Sequence, residues 1–248
     1  MDFLETLAFS AVMGLSIFLS LPIVLHRKTG EVRITVLTAV AAGILIFLMG
    51  DLFSDAAATL YNGSLYGYGS SPSRDLIFAG SLAAGFLVLF VGEGRSKKGI
   101  TPTRLALVIA IGMGFQNLTE GLVFGSLGVA LGLSGAALVV LVGFIFQNIT
   151  EGFPIASPFL GRAEGKERLI LAFFLIGGLP TIAGGAVGYY YSSATLGLAF
   201  DGVAIGAILY AVLPMLRGVF RDTSPRLQRL GYLGVFVGFM LGFLVNLV

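Results

Sequence analysis

Long apolar runs broken by charged or turn residues recur eight times along the chain: roughly Phe3 to Leu25, Ile34 to Ala56, Asp75 to Val91, Leu105 to Phe124, Leu133 to Phe153, Leu169 to Tyr190, Leu196 to Leu216 and Leu230 to Leu247. Each is close to the ~20 residues that carry an α-helix across a bilayer. Eight of them with short connections use up all 248 residues. The expected fold is therefore all-α, a polytopic membrane protein of eight transmembrane helices, with residues 1–248 forming a single transmembrane domain. The first run is too long for a signal-peptide core, and its flank carries Asp2 and Glu5 rather than basic residues, so it reads as a retained membrane helix.

Composition sharpens this picture. Hydrophobic residues make up 56% of the chain, charged residues only 11%, and mean hydropathy is +0.97. A soluble domain carries about 25% charged residues, so an ordinary soluble enzyme is excluded. Cysteine is absent and His26 is the single histidine, which rules out disulfides, iron–sulfur clusters and Cys/His zinc cages. No catalytic residues and no resident cofactor are expected.

The basic residues alternate with the loops. Arg27, Lys28 and Arg33 lie between runs one and two; Arg95, Lys97, Lys98 and Arg104 between three and four; Arg162, Lys166 and Arg168 between five and six; and Arg217, Arg221, Arg226 and Arg229 between seven and eight. These are 14 of the 15 Lys and Arg residues, leaving Arg74 for the other side. Short Lys/Arg-rich loops stay cytoplasmic, so both termini should face outward. The net charge of +2 is thus a topology signal, not a nucleic-acid footprint. The expected location is multi-pass in the cell membrane, plasma or bacterial inner, with lipid as the surrounding partner.

Acids within or near the runs carry the chemistry: Asp51 and Asp55 in the second, Glu120 in the fourth, Glu151 in the fifth and Asp201 in the seventh, with no Lys or Arg in the middle of any run. Intramembrane acids without basic partners need protons or metal cations for balance. Asp51, Asp55 and Asp201 fall toward the outer ends of their helices, where an acidic mouth would concentrate cations. They also fit the simpler role of acids that are protonated or reach the interface.

At mid-depth a six-residue pattern is written twice, Gln116-Asn117-Leu118-Thr119-Glu120-Gly121 and Gln147-Asn148-Ile149-Thr150-Glu151-Gly152. Positions i and i+4 share a helix face and i+1 adjoins it. Gln116, Asn117 and Glu120 can therefore converge, as can Gln147, Asn148 and Glu151. On antiparallel neighbours at matching depth they present two carboxylates and four carboxamide oxygens around one volume. Asn and Gln also glue membrane helices together by hydrogen bonds, but that role explains isolated polar residues better than a duplicated motif with two glutamates. The N-x-T sequons at Asn117 and Asn148 lie too deep for glycosylation. Pro154 and Pro158 should bend or end the fifth helix.

At these residues the chain resembles the ZIP (Zrt/Irt-like) family of divalent metal transporters, particularly its compact GufA-like branch. That family carries His-Asn-x-Pro-Glu-Gly in helix four and a related motif in helix five. The resemblance implies a 3+2+3 inverted-repeat bundle with both ends outside, and metal-ligand positions at Asn117, Glu120, Asn148 and Glu151. It sets Gln116 where the family's helix-four histidine usually stands and Gln147 where helix five has His or Gln. Thr119 and Thr150 replace the usual prolines. Thr181 falls where a glutamate often bridges a second metal, which puts a second metal position in doubt. The implied activity is passage of metal from the outer face through the midplane to the cytoplasm.

Without His or Cys in any run, the site must be built from oxygen, which suits harder ions better than imidazole or thiolate does. Mn²⁺ and Fe²⁺ are therefore expected as substrates alongside Zn²⁺. Met113, on a neighbouring part of the same face, offers a thioether or simple packing. Three other readings remain. One is a proton-coupled carrier of a non-metal solute using Glu120 and Glu151, and another is a non-transporting metal-sensing relative. The third is an intramembrane protease reading of Gly132-Leu133-Ser134-Gly135, which lacks an activating histidine because His26 belongs to a loop on the other side. The small residues around Gly184, Gly185 and Gly188 permit close helix contact within one chain or between two copies as a homodimer. Uptake into proteoliposomes is expected to accept manganese alongside zinc. Strong selectivity for zinc over manganese would exclude the oxygen-site reading.

Overall fold

The structure, a computed structural model, describes residues 1–24, 30–61, 71–94, 100–161, 163–191, 193–221 and 224–247. His26, Arg27, Lys28, Arg95, Lys97, Lys98 and Arg162 lie outside the described residues. Among the described residues the chain is helical with no strand, and eight helices are long and apolar enough to cross a membrane. The chain is thus a multi-pass membrane protein. The first helix, Phe3–Leu15, continues through a 3₁₀ stretch, Ser16–Ser20, into a short turn, Leu21–Val24. The other seven are Glu31–Tyr61, Pro72–Gly94, Pro102–Leu131, Gly135–Ala156, Glu167–Tyr190, Ala194–Phe220 and Pro225–Val245.

Local chemistry sets the helix ends. Asp2 and Glu5 form a reciprocal capping box: Glu5 N–H donates to Asp2 Oδ1 at 2.8 Å and Asp2 N–H to Glu5 Oε2 at 2.9 Å. The acidic flank of the first run is therefore a helix start. Thr101, Ser193 and Ser224 cap the fourth, seventh and eighth helices, with Pro102 and Pro225 in first positions. The fourth helix outlasts its apolar run and stops only where Gly132 adopts φ 60°, a conformation open to glycine. Ser134 is then the N-cap of the fifth helix, so the Gly132–Gly135 stretch is a helix-to-helix turn. Pro154 is accommodated inside the fifth helix, and the chain tightens to a 3₁₀ turn, Ser157–Phe159, at Pro158.

Three parallel pairs organise the bundle: the fourth helix on the sixth, the second on the eighth, and the third on the seventh. The first helix crosses the sixth in the opposite direction and also flanks the fifth. The second and fourth helices both pack on the seventh. Glycines permit these approaches. A Cβ on Gly184 would collide with the Leu118 carbonyl, one on Gly188 with that of Leu122, and one on Gly121 with that of Thr181. Gly238 meets Val40 in the same way, and Gly206 meets Leu82. In lipid, helices associate through such close packing because no hydrophobic gain drives them together. Gly184, Gly185 and Gly188 are thereby used within the chain, and this stripe is not free to form a homodimer face.

The third and eighth helices are the most peripheral, with Leu76, Val88, Phe90, Tyr232 and Phe236 turned outward. Such an apolar exterior would be a liability in water and is the expected surface against lipid. Every described Lys and Arg within a helix sits within five residues of its end. All but Arg74 lie at the end where even-numbered helices start and odd-numbered helices finish.

Gly184→Ala is expected to lower the thermal midpoint in detergent, costing about 1–3 kcal/mol through overpacking. Gly80→Ala, where an added Cβ meets nothing within 4 Å, should leave the midpoint unchanged or slightly higher. Equal behaviour of the two variants would remove the close-packing account.

Candidate functional site

The duplicated motif lies near the middle of the fourth helix and in the second half of the fifth, two antiparallel neighbours joined by the Gly132–Ser134 turn. All six polar residues are buried: Gln116, Asn117, Glu120, Gln147, Asn148 and Glu151. Gln116 Nε2 donates to Glu151 Oε1 at 2.9 Å and to Glu120 Oε1 at 3.4 Å. Asn148 Nδ2 donates to Glu120 Oε2 at 3.1 Å and also to the Phe144 carbonyl at 2.9 Å. Asn117 and Gln147 flank Glu151, while Asn117 Nδ2 donates to the Gly177 carbonyl of the sixth helix at 3.0 Å. The i, i+4 spacing and the hairpin bring both carboxylates into one amide network.

The network satisfies donors and leaves acceptors bare. Gln116 Oε1, Asn117 Oδ1, Asn148 Oδ1 and Glu151 Oε2 are buried and accept no hydrogen bond from a described residue. Buried polar atoms are normally paired, so four orphaned oxygens around two carboxylates mark a place suited to positive charge. No basic side chain supplies it, because the described Lys and Arg all stand at helix ends. Among the described residues no three Asp, Glu, His or Cys side chains come together as a metal cage. A cation held here therefore depends on carboxamide oxygens as well as the two glutamates.

A cavity of about 590 Å³ leads to this network from the end of the bundle opposite the arginine-rich one. Asp51, Asp55 and Asp201 line it, with Gln116, Glu120 and Gln147 at its inner part. The sequence-predicted mouth and the paired motifs thus belong to one space. Glu151 is fully buried and does not line the cavity, so Gln116, bonded to it, separates it from the opening. A second cavity of about 320 Å³ lies at the arginine-rich end, lined by Thr35, Thr38, Ser157, Pro158, Pro214 and Met215 among others, with no charged residue. Between the two stands a packed core that includes Ala110, Met113, Ile155 and Phe174.

Two accessory candidates fall elsewhere. Met113 is fully buried in that core and lines neither cavity. Thr181 is fully buried against the first helix, where a Cβ on Gly14 would approach its Oγ1 to 3.0 Å. It too stands outside the cavity wall.

Two polar residues were missed from the sequence. Asn246, the C-cap of the eighth helix, donates from Nδ2 to Asp51 Oδ1 at 2.7 Å and lines the cavity. Thr119 lies beside Asp201 on the cavity wall. The available signals were a lone amide at the end of an apolar helix and the third polar position of the motif. A comparison with protein-family models gives no match, and a comparison with curated proteins gives none either.

Asn117→Leu is expected to destabilise the metal-free protein by about 0.6–2 kcal/mol, the range for interhelical polar contacts in membranes. Thermal unfolding in chelator-treated detergent solution measures it. An unchanged midpoint would mean that the bond to Gly177 contributes nothing.

Proposed function

We propose that the chain is a divalent metal cation transporter of the Zn/Fe/Mn class, as its resemblance to the ZIP family implies, carrying metal across the cell membrane toward the cytoplasm. The observation that carries this reading is the buried Glu120 and Glu151 pair, without a basic partner among the described residues, beneath an acid-lined cavity. Isolated charges at this depth are costly and are kept where ions pass. Positive charge arriving through the cavity answers that cost.

The amides supply the local chemistry. With no cation, the NH₂ groups of Gln116 and Asn148 face the carboxylates. Rotation of each terminal amide replaces a donor by a carbonyl oxygen, converting a network that satisfies carboxylates into one that surrounds a cation with oxygen. Gln116 is the first to turn, because it separates Glu151 from the cavity. The set is all oxygen, which favours Mn²⁺ relative to a histidine-containing site, while Zn²⁺ keeps its general affinity advantage.

Helix pairing supports the 3+2+3 arrangement. Exchanging helices one to three with six to eight, and four with five, turns the parallel second–eighth pair into the seventh–third pair, and the fourth–sixth pair into the fifth–first pair. The arginine-rich end fits the cytoplasmic side, with both termini outside and the acidic cavity open outward. Residues 1–248 act in this reading as one transport domain.

A second reading is favoured by one observation: among the described residues no third acidic side chain joins Glu120 and Glu151, and two carboxylates suffice for a proton relay in a carrier of a non-metal solute. Glu120→Gln and Glu151→Gln separate the two. In proteoliposomes each should reduce metal uptake at least a hundredfold with normal expression. Proton-driven transport of another solute without metal binding would instead establish the relay, and normal metal uptake by both variants would remove the site.

A further inference from the structure

The cavity above the paired motifs is wider than a bare ion needs. Its outer acids come from two helices, Asp51 and Asp55 from the second and Asp201 from the seventh, with Glu120 of the fourth at its inner part. They are arranged differently from a coordination cage, because no three acidic side chains among the described residues meet as one. Asp51 is already engaged by Asn246 at 2.7 Å. Asp55 is exposed at the rim. Asp201 is 5% exposed, lines the same space with Thr119 beside it, and its Oδ1 accepts no hydrogen bond from a described residue. Gln116 Oε1, at the inner part of the cavity, is likewise buried and unpartnered.

Spaced carboxylates around a wide space suit an ion that keeps its water. Six waters occupy about 180 Å³ at their liquid volume of ~30 Å³ each, well within about 590 Å³. A hexahydrated divalent cation can be bound through its retained waters, as Mg²⁺ commonly is. The inner network offers oxygens at hydrogen-bonding separations and suits an ion that has shed them.

We infer that this cavity is a binding site for the hydrated divalent cation, held through its water shell by Asp55, Asp201 and Asp51, and that dehydration occurs at Gln116 as the ion passes to Glu120 and Glu151. The site rests on the transport reading for its cargo but is separate from the glutamate network. Asp201 is its principal anchor, being buried with its Oδ1 unpartnered among the described residues. Thr119 and Asn246 hold the acids apart, so that none closes on an ion directly.

Hexaamminecobalt(III), whose ligands do not exchange, mimics a hydrated cation that cannot be stripped. Calorimetry on the purified full chain in neutral detergent, with hexaamminecobalt(III) and Mn²⁺ as separate probes, tests the inference. The complex should bind at one equivalent, compete with Mn²⁺ and block Mn²⁺ uptake. Asp201→Asn and Asp55→Asn should each weaken its binding at least tenfold, with helical content and elution profile unchanged. Glu151→Gln, at a carboxylate that does not line the cavity, should alter it less than twofold while abolishing tight Mn²⁺ binding. Absence of hexaammine binding, or binding indifferent to both aspartate variants, overturns the hydrated site. If Mn²⁺ binding still vanishes in the glutamate variants, the transport reading stands without it. Hexaammine binding that disappears in Glu151→Gln also overturns the inference, because the two probes then share one site.

Discussion

Two carboxylates at the depth of the bilayer, on adjacent helices and without a basic neighbour among the described residues, set the terms for the whole molecule. Moving one ionised carboxylate out of water costs several kcal/mol even after relaxation, and Glu120 and Glu151 are brought to the same amide. Gln116 meets part of that cost by donating to both, and Asn148 meets another part from the facing helix. Hydrogen bonds of this kind are strong in a low dielectric and expensive if broken. The network therefore holds only while the fourth and fifth helices keep their separation and register.

That register depends on backbone-to-backbone packing. The fourth helix is seated on the sixth through Gly121, Gly125, Gly184 and Gly188, and Asn117 ties it to the Gly177 carbonyl of the same partner. The fifth is held from the other side by the first, where Gly152 meets Ser20 and the Ile17 carbonyl. Each half of the motif thus stands on its own support, and the amide bridge spans the seam. In the transport reading proposed above, such a seam is what ion passage requires: rigid within each pair, with a polar contact between them that a cation can replace.

The two ends differ in chemistry. One opens a wide acid-lined cavity onto the motif; the other has an arginine-lined pocket at Arg226 and Arg229 and a smaller uncharged cavity separated from the motif by packed apolar side chains. Among the described residues, Gln116, Glu120 and Gln147 line the acidic cavity and none of the motif residues lines the uncharged one. Gln116 stands at that boundary, bonded to the one glutamate that does not line the cavity.

Much of the fold and the site was legible in the chain. Apolar run length marked eight spans because a bilayer demands about twenty residues of helix with every backbone group satisfied internally. The doubled Gln-Asn-x-Thr-Glu-Gly spacing placed each set on one helix face because 3.6 residues make a turn, and with no Cys in the chain and its single histidine, His26, outside every apolar run, oxygen was the expected ligand chemistry. Helix ends were less legible: capping at Thr101 decided where the fourth helix starts and the φ of Gly132, rather than hydropathy, where it stops. The fate of Thr181, Met113 and Asn246 was not legible at all, since each depends on which helix packs against which. Local rules act over one or two turns and fix element, depth and face. The tertiary structure alone decided that Asp51, Asp55 and Asp201 open onto the paired motifs, that Gln116 screens Glu151, and that the glycine stripe of the sixth helix is used up inside the chain, because those outcomes are set by contacts between helices far apart in sequence.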